Sequence, residues 1–247
     1  MNIKAQLRSF SHALQFLTRL PAPRIDVFDP VDLSRSALWF PVVGVVVGAI
    51  VGAALWLGAL ASPAVGALLA LLAWVWVTGG LHLDGLADVT DALAGAHRSP
   101  ERFLQILRDP HVGAFGVMAI GLQLIAKLVL LAEIAGGRSE ALIPLILVAA
   151  WARLGAPFWS LVVPPLADGS GQRFAWEIDP RIVGAEAAVL ALLSIFLAPM
   201  LLAALLVIPA IAAYWRYRVG GITGDCLGAS VEVTETILLL LIALRMA

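Results

Sequence analysis

Three aspartates, Asp84, Asp88 and Asp91, stand four and then three residues apart in the stretch Gly79-Gly80-Leu81-His82-Leu83-Asp84-Gly85-Leu86-Ala87-Asp88-Val89-Thr90-Asp91. At about 100° per residue a helix would place all three carboxylates within roughly 60° of arc. Like charges on one face repel, so the arrangement calls for a cation or a basic partner. Mg2+ suits it, because this ion binds through one or two carboxylates and completes its octahedron with water and substrate phosphate. Two other readings compete. The acids could cap a helix end or pair with Arg98, Arg102 or Arg108. Alternatively, His82 with Asp84 and Asp88 could begin a zinc site, although no further histidine stands at ligand spacing. His97 and His111 read as loop histidines.

Two more stretches have suitable residue types. Arg108-Asp109-Pro110-His111-Val112-Gly113-Ala114-Phe115-Gly116 precedes an apolar run, where free helix N–H groups and glycine let backbone approach an anion. Gly220-Gly221-Ile222-Thr223-Gly224-Asp225-Cys226-Leu227-Gly228-Ala229 reads as a glycine-dense loop that could cradle a diphosphate while Asp225 holds a metal, or as a plain turn. Lys127 and Arg153 lie inside apolar runs. A charge at membrane depth is costly and marks a functional site by default, although Lys127 could instead snorkel to the end of its run.

The elements that position these residues are membrane helices. The chain is 61% apolar and 13% charged, with a mean hydropathy of +0.96. Ordinary soluble domains are about 45–50% apolar and about 25% charged. Several runs approach the roughly 20 residues needed to cross a bilayer. Candidate spans are 37–60, 64–83, 115–134, 141–163, 182–197, 200–214 and 231–244, the last three short, with Pro199 and Pro209 suggesting a re-entrant or tilted hairpin. The fold class is therefore all-α, a polytopic membrane bundle of about seven spans forming one domain over residues 1–247. Gly44, Gly48 and Gly52 form a small-residue stripe on which another helix can pack closely.

Charge and cysteine content narrow the function. A net charge of −1 without a basic stripe argues against a nucleic-acid partner. Cys226 is the sole cysteine, which excludes an intrachain disulfide framework and any multi-cysteine metal site. Lys4 and Arg8 are not followed by an unbroken apolar core with a cleavage site, so the N-terminal stretch reads as mature protein. Basic residues resist translocation. Lys4, Arg8, Arg19, Arg24 and Arg35 therefore place the N-terminal segment in the cytoplasm, and alternation puts loops 84–113, 164–181 and 216–230 on the same side. Those loops carry Arg98, Arg102, Arg108, Arg173, Arg181, Arg216 and Arg218, whereas the opposite side has little beyond Arg138.

At these residues the chain resembles the cobalamin synthase (adenosylcobinamide-GDP ribazoletransferase) family along nearly its whole length. Phe16-Leu17-Thr18-Arg19-Leu20-Pro21-Ala22-Pro23-Arg24 resembles that family's N-terminal signature, and Trp39-Phe40-Pro41-Val42-Val43-Gly44 its first span. The 79–91, 108–116 and 220–229 stretches correspond to its three most recognisable blocks, while 164–199 matches no firm pattern.

The resemblance implies a magnesium-dependent transferase in the cell inner membrane with its site facing the cytoplasm. Its substrates would be adenosylcobinamide-GDP and α-ribazole or its 5′-phosphate, and its products adenosylcobalamin or its 5′-phosphate plus GMP. Asp84 and Asp88 would hold Mg2+, Asp91 would complete the shell or act as general base, and Asp225 would supply an opposing acid. Substrate contacts are expected at His82, Arg108, Asp109, Gly113, Lys127, Arg153, Gly220, Gly221, Thr223 and Gly224. Partners are expected in the lipid bilayer, in a second copy of the chain and in other enzymes of the pathway. A CDP-alcohol phosphotransferase is the nearest alternative, disfavoured by the acid spacing. A cation transporter would require acids at mid-span, and a non-catalytic scaffold would leave the clustered acids without a purpose.

Overall fold

The computed structural model describes residues 3–23, 34–97, 99–137, 142–166 and 178–246. Arg24, Arg98, Arg138 and Arg173, which entered the orientation argument, lie outside these segments. Among the described residues ten α-helices follow one another: α1 (Ile3–Leu17), α2 (Phe40–Ala59), α3 (Pro63–Thr78), α4 (Leu81–Gly95), α5 (Pro100–Leu107), α6 (Ala114–Gly136), α7 (Leu142–Val162), α8 (Pro180–Leu197), α9 (Ala204–Arg218) and α10 (Gly224–Met246). Short 3-10 turns, Ala37–Trp39 and Pro199–Ala203, lead into α2 and α9.

Among the described residues six helical segments are long and apolar enough to cross a membrane, and a seventh is counted if the bent pair α3–α4 forms one span. α3 is the uncharged arm of that pair, and its 16 residues rise about 24 Å. It starts at Pro63, with the Ser62 hydroxyl accepting from Val65 N–H at 3.2 Å, and ends at Gly79 and Gly80. These glycines have φ of +65° and +76°, the left-handed region that side chains with a Cβ disfavour. Their consecutive placement turns the chain by 85°. The expected second span, 64–83, therefore stops at Thr78, and the aspartates belong to a separate helix that leaves the span direction.

The last three spans are longer than expected. α8 has 18 residues, the 3-10 turn with α9 has 20, and the final span runs from Gly224 to Arg245. Residues 224–229, read as loop because of their glycines, are the first turns of α10. The Thr223 hydroxyl accepts from Cys226 N–H at 3.3 Å and starts that helix.

The buried side chains form one contiguous core from Ala13 to Ala243. α2 packs along both α3 and α7, and α10 along α4, α6 and α7. The α2–α7 contact uses the glycine stripe: a Cβ on Gly44 would lie 2.5 Å from Ala149 O, and one on Gly48 2.5 Å from Ile146 Cα. α1 lies over the start of α2, with Phe16 stacked on Phe40 at 5.9 Å and Phe10 edge-on to Trp39 at 5.4 Å.

Candidate active site

α4 lies across the N-terminal ends of α6 and α10. Its first half rests on α10, where a Cβ on Gly85 would come within 2.8 Å of Asp225 O, and Gly228 packs against His82. Its second half holds α6, because the Asp91 carboxylate accepts from Gly113 N–H at 2.7 Å and Gly116 N–H at 2.9 Å. The cap of α6 is thus borrowed from another helix, since Gly113 has no side chain to provide one.

This crossing brings Asp84 and Asp225, 141 positions apart by subtraction of their numbers, into one cleft of about 260 Å³. His82, Gly85, Gly224 and Gly228 line it too, with apolar walls from Phe16, Leu17 and Phe40. His82 is buried, and its Nδ1 has no hydrogen-bond partner among the described residues. Asp88 stands one turn from Asp84. Partial burial, then the charges of Asp84, Asp225 and Asp91, raise its carboxyl from 3.8 to about 6.

The donor set limits how a divalent cation could be held. Among the described residues, no three His, Cys, Asp or Glu side chains converge as metal ligands. Asp91, expected in the metal shell or as general base, has both oxygens committed to the start of α6. What remains in the cleft is an open pair, Asp84 and Asp225, with Asp88 one turn along α4, a donor set that would suit Mg2+ held largely by substrate phosphate and water. It gives no closed tetrahedral cage for zinc.

The other expected substrate contacts are dispersed. Arg108 ends α5, exposed and outside the cleft lining, while Asp109 is exposed and bonded to His111 Nδ1 at 2.7 Å, which lowers its carboxyl pKa. Gly113 starts α6. Gly220, with φ of +81°, and Gly221 form a turn pinned to residues 164–166 through Ile222 N–H to Pro164 O at 2.9 Å and Leu166 N–H to Ile222 O at 3.0 Å. Thr223 caps α10, and of the contacts expected at Gly220, Gly221, Thr223 and Gly224 only Gly224 reaches the cleft beside Asp225.

Lys127 and Arg153 lie deeper, buried between helices. Lys127 of α6 donates to Glu232 Oε2 at 2.7 Å and to Glu235, and lies 4.6 Å from the Trp74 ring centroid. Arg153 of α7 donates to the other Glu235 oxygen. Gln123 donates to the Glu232 carboxylate and to its backbone carbonyl. Two cations and two anions offset each other, so this cluster presents no free positive charge to a phosphate. Glu232 and Glu235 were missed in the sequence. The depth argument that flags Lys127 and Arg153 applies equally to them, but starting the last span at Val231 left Glu232 at its edge. The transporter alternative required acids at mid-span. Glu232 and Glu235 stand there and are tied to buried cations, while Glu186 of α8 also lies inside its span, with a buried Oε2 that has no hydrogen-bond partner among the described residues.

Residues 9–243 match the family described as cobalamin-5-phosphate synthase. The chain belongs to that family. Among curated members of the cobalamin-5-phosphate synthase family, the adenosylcobinamide-GDP ribazoletransferase of Laribacter hongkongensis is 52% identical over 95% of this chain and 96% of its own length. The Thiobacillus denitrificans protein of that name is 47% identical over 98% and 97%, and the Brevibacillus brevis one 33% identical over 96% and 98%. No solved structure matches the chain.

Proposed function

We propose that the chain is a ribazoletransferase of cobalamin biosynthesis that joins adenosylcobinamide-GDP to α-ribazole, or to its 5′-phosphate, and releases GMP. The observation that carries this reading is the cleft where Asp84 and Asp225 meet at one end of the bundle. The ribose 3′-oxygen forms a bond to the phosphorus attached to cobinamide, the bridging P–O bond to GMP breaks, and the hydroxyl proton passes to a carboxylate. Such a transfer depends on positioning and charge neutralisation more than on a covalent nucleophile.

Asp84 and Asp225 would hold Mg2+ with Asp88 beside them, and the ion supplies neutralisation of the diphosphate charge. Asp88, one turn along α4 from Asp84 and outside the pair that would hold the ion, takes the hydroxyl proton. His82 lines the cleft wall with its Nδ1 buried. Asp91 keeps α6 seated under α4. The apolar walls shield the reacting groups from bulk water.

The site faces the cytoplasm from the inner membrane in this proposal. Lys4, Arg8, Arg19 and Arg35 flank the entry to α2, and Arg216 and Arg218 occupy the last turn of α9, the distribution that favours a cytoplasmic side. The test is to incubate purified protein in lipid with adenosylcobinamide-GDP, α-ribazole and Mg2+. GMP and cobalamin should appear in equal amounts. GMP release without incorporation of α-ribazole, or no turnover, overturns the reading.

A further inference from the structure

Another groove, of about 720 Å³, adjoins the cleft at Asp84. Phe16, Leu81 and Asp84 line both this groove and the Asp84–Asp225 cleft, so the two spaces meet at the acid placed beside the reacting phosphorus. They differ in charge. Among the described residues the cleft lining contains no Lys or Arg, whereas the groove lining has one cation, Arg19.

Arg19 is fixed in place. Its backbone N–H donates to Val77 O at 2.7 Å, at the end of α3, and its side chain lies across the turn between α3 and α4. A Cβ on Gly79 would meet Arg19 Nε at 2.5 Å, so the glycine that permits the bend also makes room for the arginine stem. The guanidinium is exposed and, among the described residues, makes one long bond, Nη2 to Gly79 O at 3.5 Å, which leaves most of its five donors without a partner there. The two threonines of the groove offer no competing donor, because Thr18 donates to Leu14 O at 2.7 Å and Thr78 to Trp74 O at 2.9 Å.

A reaction that joins two substrates needs two spaces meeting where the bond forms. With the diphosphate in the acidic cleft, the nucleophile approaches from the groove, and its remaining charge is a phosphate at the far end of its ribose. We propose that the groove is the nucleophile's subsite and that Arg19 binds the 5′-phosphate of a ribonucleoside 5′-phosphate whose 3′-hydroxyl is presented at Asp84. This rests on the ribazoletransferase reading. It makes Arg19 the residue that distinguishes α-ribazole 5′-phosphate from α-ribazole.

The experiment compares kcat/KM for these two substrates in wild type, Arg19→Gln and Arg19→Lys, with protein in lipid and saturating adenosylcobinamide-GDP and Mg2+. Wild type should favour the phosphorylated substrate. Arg19→Gln should lower that preference about ten- to hundredfold, the size expected for losing charge-assisted bonds to phosphate, with the loss mainly in KM. Arg19→Lys should fall between, since it keeps charge and stem but not the planar fork. It also supplies the comparison if the glutamine variant does not fold. A wild type without preference, or a preference unchanged in a folded variant, overturns the proposal while leaving the ribazoletransferase reading intact. Failure of wild type on both substrates overturns the reading itself.

Discussion

Arg153 of α7 and Glu235 of α10 form an ion pair with both side chains fully enclosed, and the second Glu235 oxygen takes the ammonium of Lys127 from α6. One carboxylate therefore joins three helices at a depth where water cannot replace a lost partner. Glu235 shares a face of α10 with Asp225, Gly228 and Glu232, at spacings of three, four and three. The upper part of that face meets α4 at the cleft, and the lower part meets Lys127 and Arg153. The pairing below thus sets the rotation with which α10 presents Asp225 above.

Glu235→Ala should destabilise the protein by about 3–5 kcal/mol, because it leaves Lys127 and Arg153 charged and buried without their shared acceptor. Thermal unfolding in detergent measures this. Replacing the charges together, as Lys127→Met, Arg153→Met, Glu232→Gln and Glu235→Gln, should recover much of that loss, since the penalty comes from unpaired charge. A single variant as stable as wild type would remove the ion cluster from any account of the fold.

Asp91→Ala should lower stability by about 2 kcal/mol through loss of the two N–H bonds that begin α6. Activity at a permissive temperature should retain the wild-type magnesium dependence. A shift of the magnesium titration to higher concentration, with thermal stability unchanged, would return Asp91 to the metal shell.

The helical bundle was legible in the sequence because apolar run length is a property of the chain in one dimension. The 85° turn was not. Gly79 and Gly80 announce that a span can end, but the direction of the following helix depends on its packing against α6 and α10. Asp84 and Asp225 were both singled out, yet 220–229 read as loop because glycine disfavours helix interiors. There the small residues serve close helix crossing and Thr223 provides the cap. Lys127 and Arg153 stood out by their depth, while their partners on α10 emerge only from tertiary pairing. Arg19 counted as one basic residue among several until the groove on Asp84 gave it a place.

Asp88 should make the metal-free protein less stable at neutral than at mildly acidic pH. Its carboxyl holds a proton more tightly folded, at about 6, than at its ordinary 3.8. The resulting stabilisation is fully present below about 3.8 and is lost as pH rises through about 6. Asp88→Asn should therefore flatten the melting-temperature profile in chelator between pH 5 and pH 7.5, raise the value at the upper end, and reduce turnover. A variant with the wild-type profile would show that the crowded charges do not strain this site.

Asp84 and Asp225 should behave as parts of one device although they lie on different helices. Both line the cleft, and neither forms an ion pair among the described residues, so removing either charge weakens the same hold on Mg2+ and diphosphate. Groups that act as a unit are strongly non-additive: once one is lost, the other has little left to contribute. Asp84→Asn and Asp225→Asn should each reduce GMP release by at least about a hundredfold, and the double variant should be little slower than the worse single one. Because neither acid holds the start of another helix as Asp91 does, and Asp225, among the described residues, bonds only its own backbone N–H, the melting temperatures should stay near or above wild type. Measuring GMP release, thermal stability and magnesium dependence across the four proteins separates the outcomes. Rate losses that multiply, with magnesium dependence unchanged, would mean that the two carboxylates act independently and that the cleft is not a shared metal and diphosphate site.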